Sequence, residues 1–233
     1  MIFDIVIPAY NEAGNLRLIE DRLIPQLKAD SIDFEIIIVD DGSSDETPAI
    51  ADELASKSDE IHVIHHPKNA GLGAALRTGY QNAKNQWVIT IDSDLSYSPD
   101  QIRNLVNAID GDIDAVFGSP YMRGGSVEGV SDIRIIPSKA ISILYSMFMM
   151  KRLSCWTGMF RAIKKTAIQS ISISQDGFDG VAEIAVKLVK KGYNVVEVPA
   201  VLGQRTIGES KALFFREFAK HLRQLLRVAS IKG

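Results

Sequence analysis

Short runs rich in isoleucine and valine recur along this chain, each separated from the next by a longer amphipathic stretch. A run that is apolar at every position suits a strand buried on both faces, and a helix between two such runs returns the chain to start a parallel neighbour. Strands are expected at 3–8, 34–40, 61–64, 87–92 and 113–118, with helices at 15–29, 47–57, 72–84 and 100–109. Right-handed βαβ crossovers then give an α/β fold with a mostly parallel sheet flanked by helices. Thr47 followed by Pro48 marks a helix start, because proline in the first turn lacks only a donor that would be unpaired anyway. The second half is less regular, with helices expected at 133–150, 178–191 and 211–228 and a strand at 194–199. The segment 118–129 contains Gly118, Gly124, Gly125 and Gly129, too long for a tight turn, and is expected to be a mobile loop over a site. No repeat, low-complexity tract or linker divides residues 1–233, so a single domain is expected.

Charge and cysteine usage narrow the function classes. With 26 Lys plus Arg against 29 Asp plus Glu, the net charge of -3 gives no footprint for nucleic acid. Cys155 is the only cysteine, which excludes an internal disulfide or a cysteine-rich metal site, and it is expected in the core. Met1 leads directly into the strand-like Ile2-Phe3-Asp4-Ile5-Val6-Ile7 without a basic leader, and no apolar run reaches the ~20 residues that span a bilayer. A cytoplasmic protein is expected, free or peripheral on the cytoplasmic membrane face.

In an open parallel sheet, ligands collect at the carboxyl ends of the strands. Polar residues cluster at three such ends: Pro8-Ala9-Tyr10-Asn11-Glu12, Val39-Asp40-Asp41-Gly42-Ser43 and Asp92-Ser93-Asp94. Singly, Asn11-Glu12 and Asp41-Gly42 also read as turn and cap residues. Together they point to a site. Asp92 and Asp94, one residue apart just past a buried-looking run, can reach one point in space once the chain turns. Two hard carboxylates suit Mg2+ or Mn2+, which typically takes its remaining ligands from substrate phosphates and water. Such an ion neutralises a diphosphate leaving group without moving a proton.

Other nucleotide folds lack their signatures. No Gly-x-Gly-x-x-Gly follows the first strand, and no Gly-x-x-x-x-Gly-Lys-Ser/Thr occurs anywhere. Gly71-Leu72-Gly73 reads either as a helix entry beside a nucleotide or as plain turn geometry. His65 and His66 have no third ligand at a metal-binding spacing and are expected at the surface.

At these residues the chain resembles the family 2 glycosyltransferases of GT-A fold, and within them the dolichol-phosphate mannose synthase-like branch. The likeness runs through Ile7-Pro8-Ala9-Tyr10-Asn11-Glu12, Val39-Asp40-Asp41-Gly42-Ser43, Asn69-Ala70-Gly71, Asp92-Ser93-Asp94-Leu95-Ser96, Thr157-Gly158-Met159-Phe160-Arg161 and Arg205-Thr206-Ile207-Gly208-Glu209-Ser210-Lys211. The resemblance implies a Rossmann-like, mostly parallel mixed sheet and inverting, metal-dependent transfer of a hexose. The donor would be a nucleotide diphosphate sugar of GDP-mannose or UDP-glucose type, and the acceptor a polyprenyl or dolichyl phosphate. Pro8, Tyr10, Glu12, Asp40, Asn69 and Gly71 would then hold the donor, and Asp92 and Asp94 the metal. Arg134, Ser138, Arg205 and Lys211 would meet phosphate, with Asp92, Asp94 and Arg205 the catalytic set. An ionised phosphate needs no strong general base to attack, but it needs cations to draw it towards an anionic donor. The chain departs from the resemblance at Ser119-Pro120-Tyr121, where arginine is common in place of proline, at Ser96, where some members carry glutamine, and at Thr157-Gly158, where a serine is missing. Two other readings fit the same residues: a family 2 transferase acting on a soluble glycan or protein, and a non-catalytic nucleotide-sugar binding module.

Residues 211–233 carry Lys211, Arg216, Lys220, Arg223, Arg227 and Lys232 against Glu217 alone, with apolar residues at helical spacing. A basic amphipathic helix is expected there, lying on anionic lipid or packed on the core. The apolar stretch 141–150 is a second segment for lipid contact, with core packing as its alternative.

Overall fold

The computed structural model describes residues 1–129 and 132–204, with the backbone alone at 132–134. The first four strands are β1 (Ile2–Ala9), β2 (Asp33–Asp40), β3 (Ile61–His65) and β4 (Trp87–Thr90). They are followed by β5 (Ala115–Ser119), β6 (Ser126–Val127), β7 (Arg161–Lys164), β8 (Val195–Pro199) and β9 (Val201–Leu202). Seven of them form one sheet in the order β3-β2-β1-β4-β7-β5-β8, and β6 pairs with β9 in a small second ladder. β1 is central to the parallel half, registered with β2 from Ile2 opposite Asp33 to Ala9 opposite Asp40. β7 runs antiparallel to both β4 and β5, which makes the sheet mixed.

Both faces of this sheet are covered. Ile5 and Ile7 of β1 enter a core with Leu16, Ile19, Leu23 and Ile38, while Val6 between them enters the opposite core with Val39, Leu76 and Tyr80. The alternation follows from successive strand side chains pointing to opposite faces, and both sets are apolar because helices lie over each. The covering helices are α1 (Ala13–Leu18), α2 (Ile24–Ala29), α3 (Thr47–Lys57), α4 (Leu72–Asn82), α5 (Ile102–Asn107), α6 (Asp132–Met149), α7 (Lys165–Gln169) and α8 (Asp179–Lys190). Among the described residues no helix is long and apolar enough to cross a membrane.

Four differences from the sequence expectation have local causes. The helix expected at 15–29 is interrupted by a π-type turn at Ile19–Leu23. Pro25 has no N–H to return to the carbonyl four residues back, so the ladder slips there. β4 ends at Thr90 instead of residue 92, because the chain turns at once, with Leu95 N–H bonded to the Asp92 carbonyl at 3.1 Å. β7 was not foreseen: it is four residues long and begins with a buried arginine. The loop expected at 118–129 is tied down in its second half. Gly124, at φ 90°, turns the chain so that Ser126 N–H reaches the Ala200 carbonyl at 3.1 Å and Glu128 N–H reaches that of Leu202 at 2.8 Å.

Candidate functional site

The carboxyl ends of β1, β2 and β3 are braced to one another by short hydrogen bonds. Asn11 adopts the left-handed conformation at φ 53°, which asparagine tolerates better than most residues. Its N–H donates to Ser43 Oγ at 2.9 Å, and its side-chain oxygen accepts from Ser44 N–H at 2.8 Å. Glu12 N–H donates to Thr47 Oγ1 at 2.8 Å, at the buried first residue of α3. Pro8 lies buried inside β1 opposite Val39, whereas Tyr10 stands 36% exposed just past the strand.

Adjacent aspartates at the end of β2 have separate partners. Asp40 is buried, accepts Ser43 N–H at 3.0 Å on Oδ1 and faces His65 Nδ1 at 2.8 Å with Oδ2. Asp41 is buried as well, and its carboxylate organises the loop before α4. It meets His66 Nδ1 at 2.7 Å, the Asn69 side-chain amide at 2.9 Å, Ala70 N–H at 2.9 Å and Gly71 N–H at 2.7 Å. Asn69 and Gly71, both expected to face the donor, therefore direct these donors at Asp41. Gly71 has φ 101°, and a Cβ on it would fall 2.4 Å from the Asp176 carbonyl oxygen. A side chain has neither the space nor the backbone conformation to replace it. Asp41, named in the strand-end cluster but given no role of its own, and the histidine pair, expected only at the surface, are the polar residues whose work the sequence did not show. His65 is exposed, as expected, while His66 is half-buried and bridges Asp41 to Thr78 Oγ1 at 2.8 Å. The signal was two doublets, Asp40-Asp41 and His65-His66, falling at the ends of adjacent strands.

Beyond β4 the chain turns through Asp92-Ser93-Asp94, with Asp92 half-buried and Asp94 buried. Asp94 Oδ1 accepts Ser96 N–H at 2.9 Å, which holds the turn. Among the described residues no group of three or more His, Cys, Asp or Glu side chains gathers to bind a metal unaided. Two carboxylates beside an open strand end fit a hard divalent ion that draws its other ligands from substrate phosphate and water. The same turn receives the end of the described chain. Tyr97 forms a bridge with Leu202, and Gly203 N–H donates to the Ser96 carbonyl at 2.8 Å. Arg205 and Lys211 lie outside the described residues, as does the helix expected at 211–228, and so does the Arg134 side chain.

On the other side of β5, Ser138 of α6 hydrogen-bonds Thr157 Oγ1 at 2.8 Å. Lys139 Nζ lies 5.3 Å from the Tyr121 ring centroid, so the cation next to Pro120-Tyr121 comes from α6. A cleft of about 600 Å³ opens here, lined by Tyr121, Lys139, Arg152 and Ser154 and by the apolar Ile143 and Met147. Ile136, Ile143, Met147 and Met150 recur on one stripe of α6 and the turn after it, all more than half exposed. Arg161 of β7 is fully enclosed. It donates to the Trp156 and Val181 carbonyls at 2.7 Å each, lies 4.1 Å over the Phe117 ring, and is pushed down to about 10 by burial. Cys155 sits in the core as expected, its thiol pushed up to about 11 by burial and so protonated at neutral pH.

The family model for glycosyl transferase family 2 matches residues 4–172, which span every strand-end loop described above. The chain belongs to that family. Within family 2 it is 34% identical over 218 residues to a polyprenol monophosphomannose synthase from Mycolicibacterium smegmatis, covering 89% of this chain and 79% of the relative. It is 32% identical to a dolichol-phosphate mannosyltransferase from Pyrococcus furiosus, covering all of this chain and 65% of that protein. Among solved structures it is similar in fold to a glucosyl-3-phosphoglycerate synthase from Mycobacterium tuberculosis in complex with Mn2+, UDP and phosphoglyceric acid. That match has a TM-score of 0.73 at 18% identity and covers 100% of this chain and 80% of the other. A mannosyltransferase from Pyrobaculum calidifontis in complex with GDP-Man and Mn2+ gives a TM-score of 0.67 at 22% identity, covering 99% of this chain and 64% of that one. The GT-A fold expected for a family 2 glycosyltransferase is thus the fold observed.

Proposed function

We propose that this glycosyltransferase moves a mannosyl group from a nucleotide diphosphate sugar to a polyprenyl phosphate. One observation carries the acceptor assignment: the cationic cleft beside Lys139 and Arg152 is bordered by an exposed apolar stripe on α6. A soluble glycan has no use for such a stripe, whereas a phosphate joined to an isoprenoid tail matches both halves. The names of the two sequence relatives support the same acceptor class and the mannosyl group.

In this reading, Pro8, Tyr10, Glu12 and Asp40 bound the base and ribose of the donor, with Asn69 and Gly71 closing the same pocket. Asp92 and Asp94 hold a divalent ion, as the Mn2+ in the structural neighbours supports. When bound, the ion neutralises charge on the departing nucleotide diphosphate. An oxygen of the acceptor phosphate forms the new bond to the anomeric carbon as the bond from that carbon to the diphosphate breaks, with inversion. No proton is transferred, because the nucleophile enters ionised and the leaving group departs as an anion. Ser138 holds the acceptor phosphate, with Arg134, Arg205 and Lys211 supplying positive charge. The expected basic helix at 211–233 lies on the membrane surface, beside which the acceptor resides.

The test is an assay offering GDP-mannose and UDP-glucose with polyprenyl phosphate, with and without Mg2+ or Mn2+, read by the mass of the lipid product. A mannosyl phosphate polyprenol formed only with metal is the expected result. Transfer to soluble glycans or proteins without lipid phosphate would instead select the soluble-acceptor reading, and donor binding with no transfer to any acceptor the non-catalytic one.

A further inference from the structure

His65 stands directly opposite Asp40 in the β2–β3 register, and its ring lies between two carboxylates. Nδ1 is 2.8 Å from Asp40 Oδ2, and Nε2 is 3.1 Å from Asp52 Oδ1 on α3. These are the charged groups that face the ring from the two elements packed against it. The neighbouring histidines are engaged elsewhere, His62 with Glu35 at 3.3 Å and His66 with Asp41. A neutral imidazole donates from one nitrogen only, so both contacts are hydrogen bonds only when the ring is an imidazolium. Asp40 is buried, with 2% of its surface exposed, so its carboxylate is oriented by the donors it meets inside the protein, Ser43 N–H and the His65 ring. Asp52 is 68% exposed and can exchange His65 for water.

We propose that His65 is a positioning residue of the donor pocket, holding Asp40 from one ring nitrogen while Asp52 holds it from the other, so that donor affinity follows its protonation. The proposal rests on Asp40 as a donor contact. The hydrogen bond to Asp40 raises the His65 pKa above its ordinary value, burial opposes this, and Asp52 adds to the rise. The imidazolium therefore predominates at and below about pH 6.5, the ordinary value, and is lost as pH climbs through the raised folded value. On deprotonation the proton leaves Nε2, where water replaces it on Asp52, while Nδ1–H stays on buried Asp40. The pocket then keeps its geometry but loses one positive charge, and affinity for a donor carrying a diphosphate falls.

The experiment measures equilibrium binding of GDP-mannose and UDP-glucose to the full chain with Mn2+ between about pH 5.5 and 9, a range in which the diphosphate diesters themselves do not titrate. The parent is expected to lose affinity as pH rises. His65→Ala weakens binding about tenfold at low pH, while His65→Asn, whose amide can stand in for Nδ1–H, stays within about threefold of the parent and shows a flat pH profile. Parental affinity in His65→Ala, or a parental pH profile in His65→Asn, would overturn the proposal. Asp40→Asn separates the two levels. If it weakens binding while His65→Ala does not, only the role of His65 falls; if Asp40→Asn itself binds as the parent does, the donor-pocket reading falls with it.

Discussion

Asp40 and Asp41 are neighbours in sequence and nearly equal in burial, yet their surroundings give them different work. Asp41 is enclosed by donors from the loop before α4 and acts as an internal brace, so truncating it strands several polar groups without partners. Asp41→Ala is expected to lower stability by about 3 kcal/mol, measured by chemical denaturation. Gly73 is constrained by space: a Cβ there would fall 2.1 Å from the Gln175 carbonyl oxygen, which is backbone and cannot rotate away. Gly73→Ala should cost about 2 kcal/mol in the same measurement. Asp94 differs from both because its proposed work is chemical. Asp94→Asn is nearly isosteric and keeps an oxygen for Ser96 N–H. Transfer should drop by about a hundredfold or more while the thermal midpoint moves little. A variant that turns over at the parental rate would remove the metal assignment.

At the scale of elements, α6 carries the most functional information. Its buried side, including Ile141 and Tyr145, packs into the core, with Tyr145 stacked on Trp156 at 5.6 Å. The opposite stripe remains uncovered among the described residues, so core packing and surface presentation, posed as alternatives for 141–150, divide between two faces of one helix. Ile143→Glu combined with Met147→Glu places two charges where the isoprenoid tail is proposed to lie. The double variant should lose at least about tenfold in transfer to long-chain polyprenyl phosphate in vesicles, and less than about twofold with a short, water-soluble homologue. Equal losses on both acceptors would mean that the stripe does not contact the tail. β7 acts differently, joining the parallel half of the sheet to β5 and bringing Arg161 under the 156 turn and the first turn of α8.

Across the whole molecule, one sheet with a core on each face gathers loops from four strand ends at a single edge. The loops are braced to each other, while Asp92 and Asp94, the proposed metal ligands, would depend on substrate to complete a coordination shell. Removing divalent ions with a chelator should therefore abolish transfer and leave the fold intact. Adding Mn2+ together with nucleoside diphosphate should raise the thermal midpoint in a concentration-dependent way, since a ligand bound only by the native state stabilises it by mass action. A midpoint indifferent to both would contradict the proposed site.

Period and punctuation alone determined most of the architecture: the apolar runs at 34–40 and 61–64 became β2 and β3 nearly residue for residue, and Thr47-Pro48 opened α3 where expected. These features are local, being fixed by which side chains tolerate burial on both faces and by a proline that cannot donate. The acidic strand ends were legible for the same reason, since polar residues that interrupt an apolar run must leave the sheet. Only tertiary structure decided that Asp41 is an internal brace, that His65 spans Asp40 and Asp52, that the cation beside Tyr121 comes from Lys139, and that Arg161 enters the sheet on an antiparallel strand. Each of these joins residues distant in the chain. Such pairings depend on strand order and helix placement, which arise when the two cores close and which no window of neighbouring residues contains.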